Sequence, residues 1–546
     1  MKIDHLHRQV NIPSHPRSVA LGLFDGLHPG HRQVILAAMQ GVEDAVSRCV
    51  FTFTLDTVTT KHIPGQLCSR QEQSRLLEDM GVDEWFEADF SDIRHLTPEE
   101  FVRDILHTRL GAVQVTCGYN YRFGAGGAGD ATLLTELCNR YGITVRVVPE
   151  VDAGDTPISS TAIRQALAAG DMPMVRRLWG RPYRIQEPVT QGQKLGRKLG
   201  LPTINQVLPS GMACPRFGVY VSCVQIDTAV YPAVTNIGVR PTVGADAPLA
   251  ETYILDFDGN LYDACPTVYP LHFLREEQAF PSLEALKAQI EQDVDTARAQ
   301  FTPTASEGIR AVFFDFDDTL DDRDAAFRHG LSTFLSHYYP SLTAAEHTAR
   351  LEELFLYQRG GYGNIIDYAT LIRHALSLWP AEKEADPDRA LWRFYHGFAA
   401  GGVLHPDVKP TLTALRKAGY LIGVITNGNR IPQTCKMDHC GLRPYLDLLV
   451  LAGEEGIQKP DPAVFRLAAA RLGVHPSACV YVGDHPVNDL QGAQKAGFHT
   501  VLKLAHRDPD HPIHRLPMPA DVPVIRQIGE LPVLLAEGAL LEQTTT

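Results

Sequence analysis

Two histidines, three residues apart, stand where a predicted strand gives way to a predicted helix. His28 and His31 follow an apolar run over residues 18–24, and apolar residues recur at helical spacing between 34 and 38. The N-terminus of a helix offers free N–H groups and partial positive charge to phosphate, and Gly30 lets the backbone approach closely. Imidazoles can stabilise the charge that develops on a transferring phosphoryl group. The pattern therefore predicts nucleotidyl transfer; the alternative is a pair of surface histidines with satisfied hydrogen bonds.

Two later stretches carry polar groups suited to the same site. Residues 118–124, GYNYRFG, follow a predicted strand and run into a glycine-rich loop. Residues 158–164, ISSTAIR, begin a predicted helix whose hydroxyls can cap it or bind phosphate. Capping alone would explain Ser159 or Ser160, whereas Arg164 on the next turn is suited to pairing with phosphate oxygens.

A second candidate phosphate site is the glycine-rich, basic stretch over residues 192–205, GQKLGRKLGLPTIN. Glycines interleaved with lysine and arginine suit a loop that wraps phosphate. Thr203 and Asn205 at its end offer neutral oxygens to a Mg²⁺ ion that keeps most of its waters. Taken alone, the pattern also fits a solvated basic turn.

Paired carboxylates end a third apolar strand. The sequence over residues 311–320 is AVFFDFDDTL, so that Asp315 and Asp317 end a strand that is otherwise apolar. Burial of two carboxylates is unfavourable unless a cation compensates them. Three later segments supply further polar groups: Thr426-Asn427-Gly428, Lys459-Pro460-Asp461-Pro462, and Asp484 with Asp489. This combination predicts metal-assisted phosphoryl transfer.

The elements that must position these residues fall into three regions. Residues 1 to about 175 alternate strand-like and helix-like runs, which favours a parallel sheet with ligands beyond the carboxyl ends of its strands. Short alternating runs between 218 and 273 predict an antiparallel barrel. Residues 301–308 lack periodicity and predict a linker. The predicted domains are therefore 1–178, 179–300 and 309–546, with a mostly helical stretch at about 323–403.

Composition excludes several classes of protein. A chain of 546 residues, 44% hydrophobic and 21% charged, is globular and long enough for about three or four domains. A formal net charge of −14 argues against nonspecific nucleic-acid binding. The 10 cysteines lack paired spacing, and a zinc site at Cys435, His439 and Cys440 is a weak alternative to ordinary thiols. With neither a secretory leader nor a membrane-length apolar run apparent, a reducing cytoplasm is the expected compartment.

The stretches FDGLHPGH, GYNYRFG and ISSTAIR together resemble the adenylyltransferase module of bacterial bifunctional riboflavin kinase/FAD synthetases. The resemblance implies a Rossmann-like domain that moves AMP from ATP to FMN. It implies that His28 and His31 stabilise the α-phosphate during transfer. One segment departs from the family, because residues 52–57, TFTLDT, replace a Pro-rich stretch near the nucleotide and flavin. The implied ATP-binding residues are Gly26, Asn120, Ser160, Thr161 and Arg164.

Downstream, the stretches GLPTIN, NIGVRPT, ETYILDFDGNLY and FLREEQAF resemble, in order, the riboflavin kinase domain of the same family. The resemblance implies that Glu251 acts as base on the ribityl 5′-hydroxyl, since a carboxylate can accept its proton as the bond to phosphorus forms. Thr203 and Asn205 would bind Mg-ATP together with Gly196, and Arg275 would contact the flavin.

Residues 309 to about 505 resemble, in order, the four motifs of the haloacid dehalogenase superfamily. The resemblance implies that Asp315 is a nucleophile forming an aspartyl-phosphate, and that Asp317 is the acid and base. The remaining implied roles are phosphoryl binding by Thr426, Asn427 and Lys459, Mg²⁺ binding by Asp315, Asp317 and Asp484, and support of the metal or of Lys459 by Asp489. Residues 323–403 would form a helical cap. Its aromatic residues would pack within the cap or stack on a substrate ring: Phe355, Tyr357, Tyr362 and Tyr368.

The expected protein is an enzyme with three activities: riboflavin phosphorylation, FMN adenylylation and phosphomonoester hydrolysis. ATP is the co-substrate, Mg²⁺ the expected metal, and FMN and FAD are substrate or product. The expected hydrolase substrate is a riboflavin-pathway phosphate, either the phosphorylated ribityl-aminopyrimidine precursor or FMN. Two alternatives stay open: a general nucleotide phosphatase, and a first domain that binds flavin or nucleotide without turnover. The expected partners are small molecules, with neither nucleic acid nor a membrane among them.

Overall fold

A computed structural model describes most of the chain: residues 1–5, 15–40, 42, 45–54, 65–154, 156–191, 196, 200–239, 248–302, 308–359, 367–505, 513, 516 and 522–536. The chain forms two compact units, which are described separately. The first comprises Met1–Gly180, Leu208–Arg216 and Val239–Pro248, and the second comprises Arg181–Val207, Phe217–Gly238 and Leu249–Thr546.

The first unit contains a six-stranded parallel sheet in the order β1-β4-β3-β2-β5-β6, which confirms the predicted Rossmann-like sheet. Its strands are β1 Lys2–His5, β2 Arg17–Leu21, β3 Ser47–Thr54, β4 Glu84–Asp89, β5 Ala112–Gly118 and β6 Thr144–Val148. Its helices are α1 Pro29–Met39, α2 Arg70–Asp79, α3 Phe90–Ile93, α4 Pro98–Glu100 continued by a π-helix over Phe101–Arg109, α5 Ala131–Arg140, α6 Ser160–Ala169 and α7 Met172–Trp179.

The central strand β2 carries the chain to the first candidate site. All five of its residues are buried, and it pairs with β3 on one side and β5 on the other. Because the connection from β4 to β5 crosses back over β2, the order of the strands reverses between β2 and β5. Ligands of open α/β sheets bind at such a reversal, beyond the carboxyl ends of the strands. The loop from β2 to α1 therefore begins at the place where a ligand is expected.

The second unit begins with an antiparallel sheet in the order β12-β9-β10-β11-β8-β7. An additional antiparallel bridge joins Ile185, ahead of β7, to Val268 of β12. This bridge connects the two ends of the sheet and confirms the predicted barrel. Its strands are β7 Val189–Thr190, β8 Thr203–Val207, β9 Gly218–Ile226, β10 Ala229–Gly238, β11 Leu249–Ile254 and β12 Thr267–Arg275, and helix α8 Leu283–Gln300 follows.

A second parallel sheet in the same unit has the order β15-β14-β13-β16-β17-β18, with the carboxylate-bearing strand β13 in its interior. Its strands are β13 Ala311–Phe314, β14 Leu421–Thr426, β15 Leu448–Leu451, β16 Cys479–Gly483, β17 His499–Lys503 and β18 Val524–Ile525. The helices outside the cap are α13 Val408–Lys417, α14 Arg430–His439, α15 Pro462–Leu472, α16 Gly492–Ala496 and α17 Leu531–Ala536.

Four helices between β13 and β14 form the cap: α9 Arg323–Tyr338, α10 Ala344–Arg359, α11 Tyr368–Leu378 and α12 Pro387–Ala400. They enclose an apolar cluster of their own. Phe355 lies in that cluster, and Tyr357 and Tyr368 pack against it; Tyr362 lies outside the described residues. Across the part of the chain described above, every helix falls short of the length and apolarity that a bilayer crossing requires.

Candidate active sites

The first site is built on the N-terminus of α1. His28 is the N-cap residue, and its Nδ1 accepts a hydrogen bond from the backbone N–H of His31 at 3.3 Å. The two imidazole rings stack with centroids 3.6 Å apart, and Phe24 meets the His31 ring edge-on. A Cβ at Gly30 would lie 3.3 Å from the His28 ring, so a side chain there would crowd the imidazole.

Burial sets the charge of both histidines. It lowers the pKa of His28 to about 3, and the positive charge of Arg164 adds to the effect. Burial, followed by the neighbouring His28 and Arg164, lowers the pKa of His31 well below its ordinary value. Both rings are therefore neutral at pH 7 and can donate N–H hydrogen bonds. Nδ1 of His31 is buried without a hydrogen-bond partner among the described residues, so it can meet an incoming ligand oxygen.

Arg164 and Ser160 form hydrogen bonds to the loop that carries the histidines. Arg164 donates to a carboxylate oxygen of Asp25 through Nη2 and to the carbonyl of Gly65 through Nε. Ser160 donates its hydroxyl to the carbonyl of Asp25 at 3.0 Å. The indole N–H of Trp179 donates to the carbonyl of Gly26 at 2.7 Å. Two of the three ATP-binding candidates on α6 thus contact the histidine loop, and Asp25 is a partner that the sequence did not indicate.

The other predicted members of this site are more exposed. Asn120 lies beyond β5, where its Oδ1 would be 3.5 Å from a Cβ at Gly118, and Thr161 is exposed in the first turn of α6. The segment that departs from the family falls only partly within the described residues, which stop at residue 54 and resume at 65. Within it, the hydroxyl of Thr52 accepts a hydrogen bond from the indole of Trp85 at 2.9 Å.

The second site lies on one face of the barrel sheet. Glu251 on β11 is the direct cross-strand partner of Asn205 on β8 and of Asn236 on β10. Directly paired residues project to the same face, with Cβ atoms about 5 Å apart. The Oδ1 atoms of both asparagines are buried without hydrogen-bond partners among the described residues. A carboxylate therefore stands between two neutral oxygens available to a ligand, and Asn236 is a member that we did not predict.

The start of β8 brings the neighbouring loop to this face. Thr203 shares the face of Asn205, two residues along the strand. The N–H of Leu201 donates to the carbonyl of Gly196 at 2.8 Å, and a Cβ at Gly196 would lie 2.3 Å from the carbonyl oxygen of Leu201. Only glycine fits this turn. The basic residues of the loop, at 194, 197 and 198, lie outside the described residues.

Arg275, the predicted flavin contact, is held by a carboxylate. Its guanidinium donates to both oxygens of Asp293 on α8, the shortest distance being 2.7 Å, and Asp293 is buried. The pair ties β12 to α8. Contact of Arg275 with the flavin stays a prediction.

The third site lies at the carboxyl ends of β13, β14 and β16. A cavity of about 190 Å³ brings together all the predicted residues of the four motifs. They are Asp315, Asp317, Thr426, Asn427, Lys459, Asp484 and Asp489. Because parallel strands end at the same edge of a sheet, motifs more than a hundred residues apart in sequence converge here.

Lys459 connects the carboxylates. Its Nζ lies 2.7 Å from Oδ1 of Asp315, 2.7 Å from Oδ1 of Asp489 and 3.0 Å from the hydroxyl of Tyr481. The backbone of Lys459 exchanges two hydrogen bonds with the side-chain amide of Asn427, at 2.8 and 2.9 Å. Asn427 therefore positions the lysine loop.

Three carboxylates form a set suited to a cation. One oxygen from each of Asp315, Asp484 and Asp489 lies within 4.8 Å of the others. Thr319 donates its hydroxyl to Asp484 at 3.3 Å. Burial, together with the charges of Asp489 and Asp317, raises the pKa of Asp315 to about 7 although Lys459 opposes the shift. A divalent cation would favour the ionised form of these groups.

Asp317 is held by two residues that the sequence analysis missed. Lys436 on α14 forms an ion pair with Asp317, and Gln433 one turn earlier donates to Oδ2 of Asp317 at 2.5 Å. Lys436 also lies 2.9 Å from Asp321. Burial opposes ionisation of Asp317, but Lys436 and Arg323 outweigh it and lower the pKa of this carboxyl. The spacing of Gln433 and Lys436 on one helix face was the only signal in the sequence.

The cap contributes Arg323 and Gln358 to the same cavity. Arg323 begins α9 and donates to the hydroxyl of Tyr368 at 3.2 Å, and Gln358, near the end of α10, is buried. The cap therefore adds a cationic and a hydrogen-bonding side chain to the lining of this cavity.

The fold and the three sites define a multidomain enzyme of nucleotidyl and phosphoryl transfer. Family models match in the same order: FAD synthetase over residues 11–162, riboflavin kinase over 179–301, and haloacid dehalogenase-like hydrolase over 309–497. Among curated proteins, the bifunctional riboflavin kinase/FMN adenylyltransferase of Pseudomonas fluorescens is 41% identical over 301 residues, 54% of this chain and 96% of that protein. The protein of the same name from Escherichia coli K12 is 34% identical over 309 residues, 55% of this chain and 97% of its own length.

The chain belongs to the bifunctional riboflavin kinase/FMN adenylyltransferase family and carries a haloacid dehalogenase-like hydrolase domain after it. Among solved structures, a 2-haloacid dehalogenase from Pseudomonas syringae is 32% identical over 42% of this chain and 99% of that chain, with a TM-score of 0.30.

Proposed function

We propose that this chain phosphorylates riboflavin to FMN, adenylylates FMN to FAD, and hydrolyses a phosphomonoester at its third site. The observation that carries the flavin activities is the alignment of Glu251 between Asn205 and Asn236, within a region that matches the riboflavin kinase model. The Lys459–Asp315–Asp489 cluster carries the hydrolase activity.

In the adenylyltransferase site, the phosphate of FMN attacks the α-phosphorus of ATP, and pyrophosphate leaves. Negative charge grows on the non-bridging oxygens as the bond forms. The neutral rings of His28 and His31 donate hydrogen bonds to those oxygens, and the N-terminus of α1 adds positive potential. Arg164 holds the histidine loop through Asp25 and contributes positive charge.

In the kinase site, Glu251 accepts the proton of the ribityl 5′-hydroxyl as the hydroxyl oxygen bonds to the γ-phosphorus of ATP; the bond from that phosphorus to the β-phosphate oxygen breaks, and ADP leaves. The Oδ1 atoms of Asn205 and Asn236, which lack partners among the described residues, suit a magnesium ion or the hydroxyls of the substrate. Thr203 and Asn205 would hold Mg²⁺, and Gly196 shapes the phosphate loop.

In the hydrolase site, Asp315 attacks the phosphorus and displaces the alcohol. Asp317, which Lys436 and Arg323 keep ionised at rest, relays a proton from solvent to the oxygen of the leaving alcohol. Water then attacks the aspartyl-phosphate, Asp317 takes its proton, and phosphate departs. Lys459 and Thr426 neutralise the phosphoryl oxygens. The carboxylates of Asp315 and Asp484 would hold Mg²⁺, which supplies further positive charge, with Asp489 supporting Lys459.

The cap points to a substrate with a polar or anionic group close to its phosphate. Arg323 and Gln358 line the same cavity of about 190 Å³ as the phosphate-binding candidates. The phosphorylated ribityl-aminopyrimidine precursor of riboflavin is rich in hydroxyls and fits this requirement. Its hydrolysis would lie on the route to riboflavin, the substrate of the kinase. Hydrolysis of FMN would reverse the kinase reaction in the same chain, so FMN is the less coherent choice. A general nucleotide phosphatase is the second candidate, because Arg323 would also attract a nucleotide.

A chromatographic time course with riboflavin and Mg-ATP tests the flavin activities. FMN should appear first and FAD later. His28→Ala should abolish formation of FAD and leave formation of FMN intact. If the unmodified chain accumulates FMN without FAD, the first domain binds flavin or nucleotide without turnover. Phosphate release from the precursor, FMN and nucleoside monophosphates, measured on the full chain, separates the hydrolase candidates.

A further inference from the structure

A partly buried polar cluster joins the barrel to the hydrolase domain within the second unit. Arg471, near the end of α15, donates to both oxygens of Glu455 at 2.7 Å. Gln225, from the end of the barrel strand β9, accepts from Arg471 at 2.6 Å and donates to Glu455 at 3.1 Å. Gln225 therefore completes an arginine–carboxylate pair that belongs to the other domain.

Barrel side chains shield this cluster from water. The guanidinium of Arg471 lies 4.8 Å from the ring centre of Tyr269 on β12, and only 6% of Arg471 is exposed. Val230 of β10 packs against the apolar core of the hydrolase, and Gln300 of α8 donates to the carbonyl of Gly473 at 3.3 Å. Because Arg471 is buried, loss of one of its partners leaves its charge less well compensated.

Two residues of this cluster, Glu455 and Arg471, flank the chain segment that carries Lys459. Glu455 ends a short 3-10 helix, Ala452–Glu455, four residues before Lys459. Helix α15 begins three residues after Lys459 and delivers Arg471 back to Glu455. The Glu455–Arg471 ion pair thus joins the two ends of the chain segment 455–471. Lys459 lies within this segment, and its Nζ contacts Asp315.

Gln225 lies far from the kinase carboxylate. On β9 it pairs with Val230 and Thr267, whereas Asn236, the neighbour of Glu251, pairs with Val219 at the opposite end of the strand. Six residues of strand separate the two ends, which is about 20 Å. A change at Gln225 can therefore affect the hydrolase without touching the kinase site.

We propose that Gln225 of the riboflavin kinase barrel is a positioning residue for the hydrolase, holding the Glu455–Arg471 pair and, through it, the phosphate-binding Lys459. The inference rests on the phosphatase activity proposed above. It makes the barrel a structural part of the phosphatase site: the fused hydrolase depends on the kinase domain for the alignment of its lysine.

The test uses the full chain, p-nitrophenyl phosphate as substrate and orthovanadate as an inhibitor that binds where the phosphoryl group is transferred. Gln225→Leu should lower kcat about tenfold, since small misplacements of catalytic groups have large effects, and should weaken vanadate inhibition by a similar factor. Riboflavin kinase activity should stay within twofold of the unmodified chain, roughly the level of assay scatter for an untouched site. Gln292→Ala, an exposed glutamine of α8, is the matched control and should change neither activity.

A reciprocal exchange separates positioning from folding. Gln225→Glu and Glu455→Gln should each impair hydrolysis, whereas the double variant retains one carboxylate and one amide beside Arg471 and should recover most of the activity. Unchanged kcat and vanadate inhibition in Gln225→Leu, or a fall in thermal midpoint alone, would overturn the inference. Absence of hydrolysis in the unmodified chain would instead overturn the phosphatase assignment, and the inference with it.

Discussion

Nζ of Lys459 lies 2.7 Å from Oδ1 of Asp315, so the lysine is the countercharge of this carboxylate in the hydrolase site. The same Nζ lies 2.7 Å from Asp489, and both carboxylates are buried. One ammonium thus both compensates the buried charge and contacts the carboxylate proposed as the nucleophile. Its two roles can be separated by experiment.

Lys459→Met should abolish hydrolysis and also destabilise the hydrolase domain. The substitution leaves Asp315 and Asp489 buried without their countercharge, a loss of about 3–5 kcal/mol. Phosphate release should fall more than about a hundredfold, since phosphoryl oxygens lose a charged donor. Thermal unfolding and a phosphate assay measure the two effects. Lys417→Met, at an exposed lysine of α13, should alter neither, and a fully active Lys459→Met would refute the assigned role.

Asp315→Asn should remove activity while making stability less dependent on pH. The pKa of Asp315 is about 7 in the folded chain, against an ordinary value of 3.8. A carboxyl whose pKa is raised stabilises the fold below its ordinary pKa, and that contribution is lost as the pH rises through about 7. With Mg²⁺ removed by EDTA, the variant should therefore gain stability relative to the unmodified chain between about pH 5 and pH 8.

Thermal midpoints in EDTA and in excess Mg²⁺ check this expectation. Added Mg²⁺ should stabilise the unmodified chain most at the alkaline end, where Asp315 is ionised, and the Asn variant less. Asp388→Asn, at an exposed position of α12, is the control. A constant difference across the whole pH range would show that Asp315 does not titrate there.

Glu251→Gln should abolish riboflavin phosphorylation and leave FAD synthesis from supplied FMN intact. Glutamine keeps the size and the cross-strand position between Asn205 and Asn236 but cannot accept the proton of the hydroxyl. Loss of a general base lowers kcat by about 10²–10⁴-fold, with little change in KM for ATP. Chromatography of both reactions measures the split. Glu284→Gln, exposed on α8, should behave as the unmodified chain, and a parallel loss of both reactions would count against a specific role.

His28→Gln should reduce the sensitivity of the first unit to acid. The pKa of His28 is about 3 in the folded chain and 6.5 ordinarily, because burial disfavours the imidazolium. The neutral ring stabilises the fold fully above pH 6.5, and this contribution is lost as the pH falls from 6.5 toward 3. At pH 5 the loss amounts to about 2 kcal/mol, because each pKa unit is worth about 1.4 kcal/mol.

Unfolding transitions of both chains at about pH 5 and pH 7.5 should therefore show a larger acid effect in the unmodified chain. The variant should also lose FAD synthesis at both values, which separates catalysis from stability. His95→Gln, at an exposed histidine of the same unit, should leave the acid sensitivity unchanged. Equal acid effects in the His28 variant and the unmodified chain would contradict a depressed pKa.

Arg323→Ala should raise KM for substrates with an anionic or hydroxyl-rich leaving group and spare small aryl phosphates. A charged hydrogen bond to the leaving group is worth about 1.5–3 kcal/mol, which is about a tenfold to hundredfold change in affinity. Kinetics on p-nitrophenyl phosphate and on the precursor measure the contrast. Arg328→Ala, one turn along α9 and paired with Glu352, is the control. A uniform loss for all substrates would indicate a structural role.

Local pattern was sufficient to predict the three folds and to select the hydrolase candidates that the structure brings together in one cavity. The motifs at 315, 426, 459 and 484 converge because each follows or adjoins a strand of one parallel sheet. Hydrophobic periodicity and turn residues are properties of short segments, and parallel strands end at one edge of their sheet. These features can therefore be predicted from the sequence itself.

The partners of the charged groups were decided by the tertiary structure alone. Arg164 pairs with Asp25 and Lys436 with Asp317, across 139 and 119 residues, and Gln225 meets Arg471 across 246. No periodicity relates such positions, because an ion pair forms wherever packing brings two groups together and excludes water. The sequence by itself determined which chemistry the chain carries and at which strand ends. Only the packed structure decided which side chains hold the reacting groups in place.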